Sequence, residues 1–306
     1  MRNKMIYFFA NCHAEGNAAM SEELGGKGAN LAEMTNLGVL VPPGFTITTD
    51  VCAAYYNSDG KWPEGLKGQV QKNIAKLEEV MDTRLGDPQK PLLVSVRSGA
   101  AKSMPGMMDT VLNLGLNDKV VKGLIDKTGS ERFAYDAYRR FIDMFGDVVM
   151  GCSHKPFEKA IEELKKQAGA KLDTDLDAEA LKELVKQYKE IFKKLVKKPF
   201  PQEPGKQLQL AISAVFGSWN TARAVRYRQI HKITGLKGTA VNVQAMVFGN
   251  MGEDCGSGVC FTRNPSTGKK EYYGEYLMNA QGGRCGSWYS HTQITERLKA
   301  KQFEKL

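Results

Sequence analysis

No run of about eighteen apolar residues occurs in the 306-residue sequence, which excludes a helical membrane span. Near the start only Met5 to Ala10 is apolar, with one break, too short for the core of a signal peptide. Metal-like cysteine spacing is missing too. Cys12, Cys52, Cys152, Cys255, Cys260 and Cys285 are scattered, none forms a Cys-x-x-Cys pair, and Cys255 with Cys260 has no second ligand pair nearby. They read as free thiols of a reducing compartment, the cytoplasm with an organelle not excluded. His13, His154, His231 and His291 form no cluster, so each reads as structural or surface. Ser290-His291-Thr292 invites a phospho-acceptor reading that its neighbours do not support. The terminal Glu304-Lys305-Leu306 resembles a peroxisomal address only loosely. There are no internal repeats.

What is present is ordinary globular composition, 42% apolar and 25% charged, in a length that suits about two domains. Lys and Arg exceed Asp and Glu by 43 − 34 = 9. A basic balance suits nucleic acid, a membrane surface or phosphorylated ligands, so the placement of charge decides. Much of it lies on one helix. Leu181, Leu184, Val185, Tyr188, Ile191, Phe192 and Leu195 form one apolar face over 177–198, capped by Asp177. Lysines 182, 186, 189, 193, 194, 197 and 198 fall on the other faces as a solvated surface. Nucleic-acid binding would want interleaved aromatics, which are absent.

Glycine punctuates the first 110 residues. Gly25-Gly26-Lys27-Gly28 precedes a short helix that Gly38 stops. Phe45 to Thr49 reads as a strand, and Asp50 as the cap of a helix to about Asn57. Leu92 to Val96 reads as a buried strand. Residues from about Asn117 to Lys198 read as helical, and Pro199 to Gly205 as a linker. A helix from Leu208 to about Tyr227 follows. Val241, Val243, Ala245 and Val247 then alternate with Asn242, Gln244 and Met246, as in a half-buried strand. Turns at Gly249-Asn250 and Asn264 to Gly268 set off strands at 258–263 and 271–280, a β-meander.

The residues with most chemical content run from Arg97 to Thr110, where a strand ends in arginine and passes into a loop of small residues and glycine. Such a loop turns backbone N–H groups toward an anion, and Arg97 adds a planar fork suited to phosphate. A charge-assisted bond of that kind contributes about 1.5–3 kcal/mol. The competing reading is a tight structural loop with Met104, Met107 and Met108 as core filler. Gly25 to Gly28 is a second basic glycine turn, neither a Walker loop nor a Rossmann fingerprint, whose bland reading is a plain helix entry. Glu275 lies in the last strand, where it suits a ribose, an indirect metal contact or solvent.

These segments resemble the pyruvate, phosphate dikinase family. The resemblance runs through Ala14-Glu15-Gly16-Asn17, Leu24 to Met34, Val41 to Thr48, Val96 to Ala100 and Ser103 to Thr110. It continues in Phe216-Gly217-Ser218-Trp219-Asn220, Gly238 to Gln244 and Phe261 to Gly268, covering about residues 5–282. The Met-Pro-Gly-Met-Met-Asp-Thr loop favours the dikinase over its relative phosphoenolpyruvate synthase.

The resemblance implies an α+β fold: an ATP-grasp-like nucleotide-binding domain with a helical insertion, its final lobe incomplete. The lobes implied are 1–112 with 200–245, the insertion 113–199, and 246–306 with a divergent tail from 283. It implies the first part of a longer enzyme that converts ATP, phosphate and pyruvate to AMP, pyrophosphate and phosphoenolpyruvate, with Mg²⁺ and a monovalent cation. A phosphoryl group passes to a histidine on a swivelling domain, and a barrel then uses it; the full-length family suggests a homodimer. By the family pattern Lys27 and Arg97 contact the ATP phosphates and carry the catalysis of this region. Ser98, Gly99, Ala100, Ala101, Ser103, Met104, Gly106, Met107, Asp109 and Thr110 belong to the loop that covers them. Gln244, Met246 and Val247 border the adenine, and Glu275 lies at the nucleotide site.

The departures are as informative. The family's Thr-Ser-His-Ala acceptor, its barrel, and its Asp-x-Glu and Gln-x-Arg segments with the metal ligands are absent. The expectation is therefore that this stretch alone does not complete the reaction, binds ATP weakly and leaves a sheet edge open. A non-catalytic interaction or regulatory module is the alternative reading. Ala10-Asn11-Cys12-His13 replaces a glycine-rich stretch of the family. From Gly282 on the family reads Gly-Glu-Asp-Val-Val-Ala-Gly-Ile-Arg-Thr-Pro, whereas this chain reads Gly282-Gly283-Arg284-Cys285-Gly286-Ser287-Trp288-Tyr289-Ser290-His291-Thr292. One inserted G after the Gly282 codon converts the first into the second, so the hypothesis is a frameshift. Coding DNA without that extra base, relative to close relatives, would sink it.

Overall fold

The computed structural model describes residues 4–281; the proposed frameshift after Gly282, with Cys285 and His291, lies outside them. It is an α+β chain in two compact units, one running to Met246 and one starting at Val247.

The first unit is built on a six-stranded sheet. Its strands are β1 (Ile6–Ala10), β2 (His13–Ala14), β3 (Gly44–Ile47), β6 (Val94–Gly99), β7 (Thr110–Leu114) and β8 (Ala240–Ala245), in the order β2-β1-β3-β8-β6-β7 with every pair antiparallel. A separate parallel pair joins β4 (Arg84–Leu85) to β5 (Pro91–Leu92). Between β1 and β2 the chain turns on Asn11 and Cys12, both left-handed at φ 49° and 59°. That is the conformation glycine adopts most easily, and the family has glycines here.

The alternation in β8 predicted one dry and one wet face. Instead all six residues are buried, because β8 lies between β3 and β6 and α1 (Ser21–Asn36), α2 (Thr49–Asn57) and α8 (Pro204–Ser218) pack on it. The polar side chains are satisfied inward: Thr46 Oγ1 donates to Asn242 Oδ1 at 2.8 Å, and Gln244 Nε2 donates to the Pro42 carbonyl at 2.9 Å. Val247, expected to continue the alternation, lies beyond the strand and is exposed.

Helix ends show where local signals compete. α1 stops as expected before Gly38 (φ 83°), whose N–H reaches Thr35 O while that of Val39 reaches Met34 O. Asp50 is not the cap of α2: Thr48 takes that position and Asp50 sits in the first turn, paired with Lys237. The single helix expected over 208–227 is two, α8 and α9 (Ala222–Ile230), with a corner at Trp219 to Thr221. Pro204, assigned to the linker, opens α8, where its missing N–H costs nothing.

After α3 (Leu66–Met81), the helical stretch contains α4 (Val120–Thr128), α5 (Glu131–Met144), α6 (Lys155–Ala168) and α7 (Ala178–Val196). Its core is aromatic. Phe200, from the linker, stands nearly edge-on to Phe141, Phe145 and Phe192 at centroid distances of 5.5, 5.5 and 5.3 Å. Asp177 caps α7 by accepting the Ala180 N–H at 2.8 Å. Leu195, expected on the apolar face, is exposed in the last turn. Lys182, Lys186 and Lys189 are paired with Glu179, Glu183 and Asp118 on the surface.

The second unit contains a hairpin of β9 (Gly256–Phe261) and β10 (Tyr273–Met278). Asn264 shapes its connection by accepting the N–H groups of Ser266 and Thr267 at 2.9 and 3.1 Å. Among the described residues no helix is long and apolar enough to cross a membrane.

Candidate functional site

The two glycine-rich loops meet. Gly25 breaks α1 with φ 67° and ψ 163°, so the helix restarts at Gly26. The freed Gly26 N–H donates to the Ala100 carbonyl at 2.9 Å. The restarted helix thus presents its N-terminal end, the electropositive one, to the loop between β6 and β7. Glycines permit the approach. A Cβ on Gly28 would fall 2.7 Å from Thr46 Cγ2, and one on Gly99 would fall 2.7 Å from Asn242 Nδ2.

This contact sets two cations side by side. Arg97 sits near the end of β6, opposite Thr110 on β7 and Asn242 on β8. Lys27 follows the break in α1, and its Cβ lies 3.4 Å from the position a Gly99 Cβ would take. Burial depresses the Arg97 pKa, while the Lys27 pKa falls first through burial and then through the charge of Arg97. Among the described residues neither makes an ion pair. By accessible surface Arg97 is half-buried and Lys27 exposed; two such like charges without a carboxylate repel one another, and an anion relieves both.

The 100–109 loop is held at each end. Its entry is fixed by the Gly26–Ala100 bond and by the Gly99 N–H donating to Thr239 Oγ1 at 3.1 Å. At its exit Asp109 pairs with Arg223 and its carbonyl accepts the Ser98 N–H at 3.4 Å. Between them Met104 is buried, Gly106 turns at φ 71°, and the Met107 N–H reaches the Met104 carbonyl at 3.1 Å. Met104 does fill core, as the structural reading of the loop expects, while Lys102, Ser103, Pro105 and Gly106 stay exposed.

The remaining expected site residues divide between the units. Gln244 and Met246 belong to the first, where the Gln244 amide is spent on Pro42 and the Met246 N–H on Leu93 O at 2.9 Å. Val247 and Glu275 belong to the second, where Glu275 pairs across the hairpin with Val259. Three residues at the meeting of the loops had no role in the sequence reading: Thr239, Asn242 and Arg223. Asn242 Nδ2 is sealed from solvent and has no partner among the described residues, though its oxygen is satisfied. The signal that could have found Thr239 and Asn242 is their place in the Gly238–Gln244 segment.

The arrangement of two cations, a helix N-terminus and a glycine loop is chemically suited to an anion. The chain belongs to the family described as pyruvate phosphate dikinase, AMP/ATP-binding domain, whose model matches residues 21–64 and 58–283. It is similar to pyruvate, phosphate dikinase 1, chloroplastic, from Oryza sativa subsp. japonica, 59% identical over 91% of this chain and 29% of that protein. The Arabidopsis thaliana protein of the same name is equally similar with the same coverage. Pyruvate, phosphate dikinase 2 from Zea mays is 57% identical over 92% of this chain and 32% of that protein. The chain spans under a third of the length of these relatives.

Proposed function

We propose that this chain binds ATP, with Lys27 and Arg97 holding its phosphates, as the nucleotide-binding part of a pyruvate, phosphate dikinase. The observation that carries the reading is the pair of a half-buried Arg97 and an exposed Lys27 without a counter-charge, beside a helix N-terminus and a glycine loop. Phosphoryl transfer asks the protein for charge neutralisation and positioning more than for covalent chemistry, which suits such a site.

In this reading the fold is an ATP-grasp, with 1–112 and 200–245 as one lobe, 113–199 as a helical insertion and 246–306 as part of the second lobe. By the family pattern the loop from Ser98 to Thr110 covers the phosphates, Gln244, Met246 and Val247 border the adenine, and Glu275 lies at the nucleotide site. The whole reaction makes AMP, pyrophosphate and phosphoenolpyruvate from ATP, phosphate and pyruvate, through a histidine on another domain and a further barrel domain. Among the described residues no group of three or more His, Cys, Asp or Glu is placed to hold a metal ion. By the resemblance the metal ligands belong to the family's Asp-x-Glu and Gln-x-Arg segments, so Mg²⁺ is assigned no ligand in this stretch, and the monovalent cation belongs to the whole enzyme. Free thiols support a reducing compartment, cytoplasmic or within an organelle.

Titration of ATP and of adenosine into the chain and its Lys27→Met variant tests the reading. The variant should bind ATP about 10-fold more weakly, the loss of one charge-assisted contact, and adenosine equally well. Equal ATP affinity in both proteins would refute it.

A further inference from the structure

The segment Phe216-Gly217-Ser218-Trp219-Asn220 has no part in the anion site, yet its bonds lead to the loop beside it. It forms the corner between α8 and α9. Ser218, 1% exposed, donates from Oγ to the Val215 carbonyl at 2.7 Å and takes the Asp109 N–H in a long 3.5 Å contact. In the first turn of α9, Arg223 pairs with the Asp109 carboxylate. The corner is braced from behind. The Arg228 guanidinium lies 3.9 Å over the Trp219 ring and donates to Trp219 O at 2.6 Å and to Asn220 Oδ1 at 3.3 Å.

We infer that Arg223 is a positioning residue, whose ion pair with Asp109 on the Ser218 corner latches the exit of the 100–109 loop next to Arg97. Two physical consequences follow. The loop is held at both ends, by Gly26 and Thr239 at its entry and by Arg223 at its exit. The Asp109 carboxylate, 16% exposed, is neutralised, which matters because burial and the nearby Asp147 both lift its pKa and a bare carboxylate would repel an incoming anion. In this inference Asp109 acts through the position of the loop. The latch stands on these contacts, while its effect on a nucleotide rests on the ATP reading above.

The test uses the full 306-residue chain, wild type, Arg223→Ala, Asp109→Asn and the double variant. Hydrogen exchange of 100–109 without ligand reads the latch, and titration with ATP and with adenosine reads its consequence. Both single variants should exchange faster in the loop. Arg223→Ala should weaken ATP binding about 10-fold with adenosine binding unchanged, and the double variant should be no worse than Arg223→Ala. Unchanged exchange in the single variants, additive losses in the double, or equal losses for ATP and adenosine would overturn the inference. So would an Asp109→Asn variant that loses ATP affinity with its loop exchange unaltered. If the wild type fails to bind ATP, the ATP reading falls and the exchange comparison still decides the latch.

Discussion

Gly25 and Gly99 cross at a distance that only residues without side chains allow: a Cβ on Gly25 would lie 1.6 Å from the Gly99 carbonyl oxygen. The crossing brings Lys27 and Arg97 together, because each glycine is within two residues of one of the cations.

Gly25→Ala should therefore destabilise the chain by about 2 kcal/mol or more, from the clash and the positive φ together. It should weaken ATP binding as well, since Lys27 moves with the displaced backbone. Gly68 in α3 has open space around it and no positive φ, so Gly68→Ala should stabilise by about 0.5–1 kcal/mol. Urea unfolding of the two variants checks the contrast, and equal effects would contradict it.

Asp136 predicts the acid limit of stability. Burial alone would raise its pKa, but Arg139 and Arg140, bonded at 2.9 and 2.8 Å, hold the carboxyl below the usual range. Asp173, bonded to Arg139 at 2.8 Å, is lowered in the same way. A carboxylate depressed in the folded state contributes stability that is complete above its unfolded pKa, about 3.9, and lost as pH falls through the lower folded value. The melting temperature should thus drop below about pH 4. Asp136→Asn should cost about 3–5 kcal/mol at pH 7 by leaving Arg139 buried beside a weaker partner, and should lose less on acidification. A melting curve at pH 7 matching wild type would contradict this.

Asp177 and Asp50 should separate as caps. Asp177→Ala removes the bond to the Ala180 N–H and should cost about 1 kcal/mol. Asp50→Ala removes only an exposed pair with Lys237 and should change stability by less than about 0.5 kcal/mol. Thermal denaturation of both variants decides it.

The contrast between these aspartates shows what was legible. Asp177 could be read because a long apolar face follows it directly, so the start of α7 is fixed by period and cap together. Asp50 misled because Thr48, after a strand that ends at Ile47, already fills the cap position. The glycine loops were legible because glycine is needed wherever backbones touch. The wet face assigned to β8 was wrong because alternation reports side-chain polarity, while burial of Asn242 and Gln244 depends on neighbours distant in sequence. Arg223 was invisible for the same reason, standing 114 residues from Asp109. The pairing of two cations without a counter-charge has no local pattern, since it depends on α1 and β6 meeting.

The central claim is that Lys27 and Arg97 recognise phosphate groups of an adenine nucleotide. Calorimetric titration of adenosine, AMP and ATP into wild type and Arg97→Ala tests it most directly. Wild-type affinity should climb with each added phosphate, and Arg97→Ala should flatten the climb, weakening ATP about 10- to 100-fold while sparing adenosine. An equally steep climb in Arg97→Ala, or a wild type indifferent to phosphate number, would contradict the account.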